Sequence, residues 1–350
     1  MKQNGKYKVV DLFAGAGGMT LGFHMAGFES KLAVNFDKDS CETYRKNFKN
    51  TNVICGDIRK VDNKTILKLT GEMVDVIIGG PPCQGFSALG KKLADDPRNQ
   101  LWREYLRIVT LLKPKVWAME NVPELLKSQE FAEVKKVTEK LGYHIKSDVL
   151  NAANYGVPQR RQRAIVLAAR IENGLVHPRP THTNKLERDL FNPNQKNWVS
   201  VRKAFEGLSL KPNGKNWHVS RNPSPLSMKR YAAVPAGGNR FNLPKELQPD
   251  CWLNKPTGST DVFGRLWWDK PSLTVRTEFY KPEKGRYLHP SENRSITLRE
   301  GARLQTFPDE FEFVGKQTSV GRQIGNAVPV KLAYQIALAV KKHLDENYRS

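Results

Sequence analysis

Along the first half of the chain, apolar residues come in short bursts, each followed by a turn signal and then by a stretch with helical spacing. Lys8 to Phe13 runs into Ala14-Gly15-Ala16-Gly17-Gly18, after which Met19, Leu21, Phe23, Met25 and Ala26 mark a helix ending at Gly27. The same reading predicts strands over 31–36, 52–55, 74–78, 116–119, 145–150 and 164–169. Between them it predicts helices over 40–48, 64–69, 100–112 and 131–141. Alternation of this kind, sustained from Lys8 to Ala169, predicts an α/β fold with a doubly wound, mostly parallel, Rossmann-like sheet. The glycine turn does not match GxGxxG and no Walker lysine follows it, which disfavours a dinucleotide or a triphosphate and with them a dehydrogenase.

The pattern changes near His177-Pro178-Arg179-Pro180. From there to about Arg265 the chain is rich in Asn, Pro, Lys, Arg and Trp and poor in periodic apolar runs. Trp198, Trp217, Trp252, Trp267 and Trp268 argue against disorder, because disordered segments are poor in aromatics. A second, smaller, irregular domain is expected. Helices return over 297–304 and 330–344. The expected division is 1–178 plus 320–350 as one domain, 179–290 as the second, and 291–319 as a connecting hinge.

The most abrupt break in the pattern falls after Val74-Asp75-Val76-Ile77-Ile78, where Gly79-Gly80-Pro81-Pro82-Cys83-Gln84 follows at once. A buried strand ending in a proline turn holds a thiol in one place at the carboxyl edge of a sheet, where open α/β sheets bind ligands. Two other segments flank strands in a way that points to the same edge: Glu120-Asn121-Val122 and Gln159-Arg160-Arg161-Gln162-Arg163. Separately, each has a bland reading as a buried small side chain, a helix cap or a surface ion pair. Together, a thiol, an acid and arginines suit attack on an electron-poor ring whose developing charge must be neutralised.

Charge then narrows the partner. The chain has 57 Lys+Arg against 35 Asp+Glu, a formal net charge of +22 and a sequence pI near 9.8. Such an excess suits a polyanion, of which nucleic acid is the commonest. Cys41, Cys55, Cys83 and Cys251 are scattered without a CxxC pair, so neither a metal site nor a disulfide framework is suggested and a reducing, cytoplasmic setting is expected. A signal peptide and a membrane span are not expected.

These segments, in their order, make the sequence similar to the DNA (cytosine-5)-methyltransferase family, in its bacterial restriction-modification form, almost from end to end. Asp11-Leu12-Phe13-Ala14-Gly15-Ala16-Gly17-Gly18 resembles the family's cofactor turn, and Gly56-Asp57-Ile58 its adenine-side segment. Pro81-Pro82-Cys83-Gln84 resembles the nucleophile loop, Glu120-Asn121-Val122 the acid motif, and Gln159 to Arg163 the basic motif. Arg294 to Gln305 and Gly325-Asn326-Ala327-Val328-Pro329 resemble the last two motifs.

The resemblance implies a catalytic set of Cys83, Glu120, Asn121, Arg161 and Arg163. Cys83 would add to carbon 6 of cytosine, Glu120 would bond ring nitrogen 3, and Asn121 would orient the turn. Arg163 would meet the exocyclic oxygen of the base, and Arg161 would steady Glu120 or a phosphate. It implies S-adenosyl-L-methionine as methyl donor, held by Phe13, Ala14, Gly15, Gly17, Gly18, Asn35, Phe36, Asp57, Ile58, Pro81, Leu101, Asn326 and Val328. One departure stands out: Asn35 occupies the place of the acid that usually holds the ribose hydroxyls.

Double-stranded DNA is the implied partner, with the target base flipped out of the stack. Gln84, Ser87 and Arg98, on a basic loop next to Cys83, and Thr274 in Pro271-Ser272-Leu273-Thr274-Val275 are the implied DNA contacts. The second domain would carry target recognition. Its Lys196, Arg202, Lys211, Lys215, Arg221, Lys229, Arg230, Arg240 and Arg265 suit phosphates and base edges, while Phe241, Trp252 and Trp267 read as core. A monomer is expected, with a cognate restriction endonuclease acting separately. The resemblance leaves two rivals: the branch that methylates cytosine in tRNA, and a catalytically silent DNA-binding homologue, against which the intact Cys83, Glu120, Arg161 and Arg163 speak.

Overall fold

The computed structural model describes residues 6–71, 73–82, 101–191, 193–254 and 257–348. These divide into two compact units, one comprising 1–155, 162–181 and 327–350, the other 156–161 and 182–326.

The first unit is built on a seven-stranded sheet with strands β1 (Lys8–Leu12), β2 (Glu29–Asn35), β3 (Asn52–Cys55), β4 (Val76–Gly79), β5 (Val116–Asn121), β6 (His144–Asn151) and β7 (Gln162–Ala169). Their order across the sheet is β3-β2-β1-β4-β5-β7-β6. Neighbours from β3 through β5 are parallel, and β7 runs antiparallel to both β5 and β6. The chain order reverses direction between β1 and β4, so their carboxyl ends flank the crevice where such sheets take ligands.

Helices α1 (Gly18–Met25), α2 (Lys38–Asn47), α3 (Asn63–Thr70), α4 (Leu101–Leu112) and α5 (Gln129–Lys140) connect the strands. Side chains two apart on a strand share a face. Val10 and Leu12, Leu32 and Val34, with Ile77, Trp117 and Met119, accordingly form one core with Ile66 of α3, Tyr105 and Ile108 of α4, and Phe131 and Val134 of α5. The alternate face meets α1, where the buried Asp11 accepts a hydrogen bond from Thr20. A terminal helix, Val330–Tyr348, packs along α1. Placing helices on both faces buries every central strand, which is why those strands read as continuous apolar runs.

The second unit has little regular structure: helices α6 (Lys185–Phe191), α7 (Val201–Phe205), α8 (Pro225–Ala233), α9 (Asp250–Leu253), α10 (Leu298–Leu304) and α11 (Gln317–Asn326), and a two-stranded ladder pairing 182–183 with 196–197. Without ladders to satisfy them, backbone carbonyls need other donors. Buried arginines supply them. Arg265 donates to the carbonyl oxygens of Tyr231, Val234, His289 and Glu292, and Arg286 to those of Gly237, Gly238, Thr260 and Arg265. Arg299 does the same for Asn216, Pro308 and Phe311.

Residues 291–319, read from the sequence as a hinge, fall within this unit. There Thr297 and Glu300 form a reciprocal cap on α10, and Arg294 makes a two-pronged pair with Glu300. Among the described residues no helix is long and apolar enough to cross a membrane, and no group of three or more His, Cys, Asp or Glu is placed to hold a metal ion.

Candidate active site

β1 ends in a turn that only certain residues tolerate. Phe13 adopts a φ of 61°, followed by Gly15 at 56° and Gly17 at 93°. The turn is tied down by Ala14 N–H donating to Val34 O at 3.1 Å and Gly17 N–H to Ala14 O at 3.0 Å. A Cβ on Gly17 would stand 2.3 Å from the Phe48 ring, and one on Gly79, at the end of β4, would stand 2.0 Å from Leu12 O. Both glycines are required by close approach. A Cβ on Gly15, by contrast, would meet nothing within 4 Å, so the turn borders open space.

Beneath the turn, Asp11 accepts from Thr20 Oγ1 at 2.5 Å, and that hydroxyl also lies 2.8 Å from Tyr44 Oη. Burial pushes the Asp11 carboxyl up to about 7. Its Oδ1 is buried without a hydrogen-bond partner.

Beside this turn, β2 ends at Asn35, whose side-chain amide makes a long 3.5 Å bond to Asp37 O. Phe36 follows with 77% of its surface exposed. Asp37 caps α2 through Ser40 N–H, at 3.0 Å. Across β3, Gly56 N–H donates to Asn35 O at 2.9 Å. Asp57 is held by Arg59, whose Nε lies 3.0 Å from both carboxylate oxygens, and this partner keeps the carboxyl below its usual range. Ile58 is buried, while Leu101, at the start of α4, is half-buried against the core. Val328 is buried in the first unit; Asn326, the last residue of α11, is exposed in the second.

Three of the sequence segments meet at one sheet edge inside the first unit. β4 and β5 run parallel, so Gly79 and Met119 are register partners and the residues after them leave the sheet together. β7 is antiparallel to β5, which brings its beginning to the edge where β5 ends: Glu120 pairs with Ile165 and Asn121 with Ala164. Glu120 is 8% exposed. Its Oε1 lies 2.8 Å from Arg163 Nε, and a Cβ on Gly80 would fall 3.1 Å from its Oε2. Asn121 Nδ2 donates to Pro81 O at 3.0 Å, and its own Oδ1 accepts from Val122 N–H at 2.8 Å.

The acid motif is therefore bonded directly to the residue two places ahead of Cys83. Cys83 itself, with Gln84, Ser87 and Arg98, lies outside the described residues. Arg163, expected to face the base, is the arginine that pairs with Glu120 within this unit. Arg161 falls in the second unit and donates to Val275 O at 2.9 Å and Gly325 O at 3.1 Å. Thr274, in the same segment, donates from Oγ1 to Arg160 O at 3.1 Å.

Two expectations for the second unit are corrected. Arg240 and Arg265 are buried, and their guanidinium groups are committed to backbone carbonyls, so neither is available to DNA; the sequence shows a cation but not the orphan carbonyls that claim it. Phe241, read as core, is 45% exposed, with the Arg240 guanidinium 4.6 Å over its ring. Trp252 and Trp267 are half-buried, the latter stacked with Arg286 at 4.1 Å. Lys196, Lys211, Lys215 and Lys229 are exposed.

A seven-stranded, mostly parallel sheet with one antiparallel strand, a glycine turn after β1 and an acid beside a proline turn after β4 is the architecture of an S-adenosylmethionine-type methyltransferase. Comparison with known proteins specifies which kind. The sequence model of the C-5 cytosine-specific DNA methylases matches residues 7–342, and the chain belongs to that family. It is 38% identical over 340 residues to the type II methyltransferase M1.HphI of Haemophilus parahaemolyticus, covering 95% of this chain and 86% of that one. It is 37% identical over 353 residues to the type II methyltransferase M.Eco47II of Escherichia coli, covering 98% and 81%. Among solved structures, one described as a DNA modification methyltransferase encoded within an E. coli prophage superposes with a TM-score of 0.73 at 26% identity, over 97% of this chain and 100% of that one. The chain is accordingly a DNA (cytosine-5)-methyltransferase.

Proposed function

We propose that the protein methylates carbon 5 of a cytosine flipped out of a specific duplex DNA sequence, through a covalent bond from Cys83 to carbon 6. It acts as a cytoplasmic monomer that protects host DNA from a cognate restriction endonuclease acting separately. The observation that carries the catalytic part is the bond from Asn121 to Pro81 O together with the Glu120–Arg163 pair. These bring the acid motif, the basic motif and the start of the nucleophile loop to one sheet edge.

In this reading Cys83 adds to carbon 6 while Glu120, fixed by Arg163, holds ring nitrogen 3, where the displaced electrons collect. Loss of the carbon 5 proton and elimination of Cys83 complete the turnover. S-adenosylmethionine, when bound, supplies an electrophilic methyl group on a sulfonium sulfur. The residues present fit it: the turn from Phe13 to Gly18 opens onto space, and the uncovered Phe36 ring offers a face to a planar group. Gly56 to Ile58, Pro81, Leu101, Asn326 and Val328 would complete the binding set. Arg161 would belong to the catalytic set, and Thr274, with Gln84, Ser87 and Arg98 near Cys83 in sequence, would contact DNA. The type II methyltransferases among its relatives support the restriction-modification role.

Bisulfite sequencing of DNA from cells expressing the protein tests this. Protected cytosines in one recurring context are expected; protection without a context, or no protection in DNA, would overturn it. Asn35 supplies a second test. An amide bonds a hydroxyl more weakly than a carboxylate does, and here the amide is held only by the long bond to Asp37 O. Asn35→Glu is expected to tighten S-adenosylmethionine binding by about 1–2 kcal/mol, roughly 5- to 30-fold in Kd by calorimetry; an unchanged Kd would mean that the ribose is held elsewhere.

A further inference from the structure

Two of the four cysteines, fourteen residues apart in sequence, are brought together at the end of β2. Cys41 lies in the first turns of α2 and is fully buried, and Cys55 is the exposed last residue of β3. The parallel register sets Cys55 opposite Asn35. Cys41 Sγ donates to Asn35 O at 3.4 Å, and the N–H of Gly56, the residue after Cys55, donates to the same carbonyl at 2.9 Å, so both cysteines converge on one backbone oxygen. Arg45, one turn further along α2, donates to Val53 O at 3.1 Å, so helix and strand are tied together beside the pair. Nothing in the proposed reaction uses either sulfur.

We propose that Cys41 and Cys55 are a redox-active pair that closes to a disulfide under a peroxide-class oxidant, with Cys55 oxidised first and Cys41 as the resolving thiol. Exposure decides the order. The Cys55 thiolate attacks a peroxide oxygen, the O–O bond breaks and hydroxide leaves, giving a sulfenic acid. Cys41 sulfur then attacks Cys55 sulfur: the S–S bond forms, the S–O bond breaks, and the departing hydroxide takes the Cys41 proton as water. Two thiols and one peroxide give one disulfide and two waters. Burial and the neighbouring thiol both hold the Cys41 thiol in its protonated form, which makes it a poor first target, and its sulfur attacks only as its proton passes to the departing hydroxide. The sulfurs must close to about 2.05 Å, a movement that the exposed Cys55 side chain can supply.

The crosslink would fasten Gly56 to Ile58 against α2 and remove the S–H bond to Asn35 O. Its consequence for methyl-donor binding rests on the proposed function, but the crosslink itself does not. The test uses full-length Cys83→Ser protein, which removes the catalytic thiol, treated with hydrogen peroxide, alkylated and digested. Mass spectrometry is expected to find Cys41 joined to Cys55 with the loss of two hydrogens, reversed by dithiothreitol and absent in Cys83→Ser/Cys55→Ser. Cys55 recovered as sulfinic acid with Cys41 free, or joined to Cys251 or to a second molecule, would overturn the proposal. The dissociation constant for S-adenosylmethionine, measured on the same samples, is expected to rise several-fold on oxidation and recover on reduction. A crosslink that leaves it unchanged upholds the redox pair and overturns instead the placement of the donor at this corner.

Discussion

Cys83→Ala is expected to reduce methyl transfer from labelled S-adenosylmethionine to DNA by at least about three orders of magnitude, with DNA affinity changed only a few-fold. Carbon 5 of cytosine is a poor nucleophile, and no arrangement of hydrogen bonds makes it a good one; addition of a thiolate at carbon 6 does, by turning the ring into an enamine. In the proposed reading DNA affinity would rest mainly on phosphate contacts made by a chain of net charge +22, which the substitution does not touch. The covalent step has its own signature. In DNA with 5-fluorocytosine at the target, the fluorine cannot leave carbon 5 as a proton would, so elimination stalls and a protein–DNA adduct accumulates. The adduct should map to Cys83 and be absent from Cys83→Ala. Retained turnover, or an adduct on another residue, would remove the thiol from the mechanism.

The sheet was legible because its strands are buried on both faces. Val9, Val10, Leu12, Val76, Ile77 and Ile78 carry almost no exposed surface, and that leaves continuous apolar runs that a sequence displays directly. The strand over 52–55 was expected with the bounds it has. Ends shifted where backbone pairing, not side-chain polarity, decides: β2 starts at Glu29 because Glu29 N–H donates to Tyr7 O. The second unit was legible only as irregular and aromatic. What organises it, arginines buried to serve carbonyls, depends on pairs such as Arg265 with Tyr231 and Arg299 with Asn216 that lie far apart in sequence and leave no periodic trace. Within the candidate site, the motifs did not say which arginine pairs with Glu120. That follows from β7 being antiparallel to β5: Asn121 pairs with Ala164, so Arg163, one residue before it, stands at the sheet end beside Glu120. The Cys41–Cys55 pair was invisible for the same reason: their spacing fits no local motif, and only the β2–β3 register brings them together.

Glu120→Gln is expected to lower kcat by roughly 10²- to 10⁴-fold, the usual worth of a positioned acid, while leaving the melting temperature and S-adenosylmethionine affinity close to those of the parent. The amide keeps the volume and one acceptor but loses the charge that Arg163 meets at 2.8 Å. If Glu120 assists addition to the ring, the rate of adduct formation on 5-fluorocytosine DNA should fall in proportion to kcat. An acid that acted only after addition would leave that rate unchanged. Arg163→Ala should show both losses, slow adduct formation and a destabilisation of about 3–5 kcal/mol, because it leaves a nearly buried carboxylate without its partner. Lysine at 163 should rescue little: the pairing atom is Nε of a planar fork, which an ammonium on a flexible stem does not reproduce. The double variant Glu120→Gln/Arg163→Ala should then be more stable than Arg163→Ala alone, since the stranded charge is gone, yet no faster. Two strictly additive destabilisations would mean that the pair is not the unit that the sheet edge holds in place.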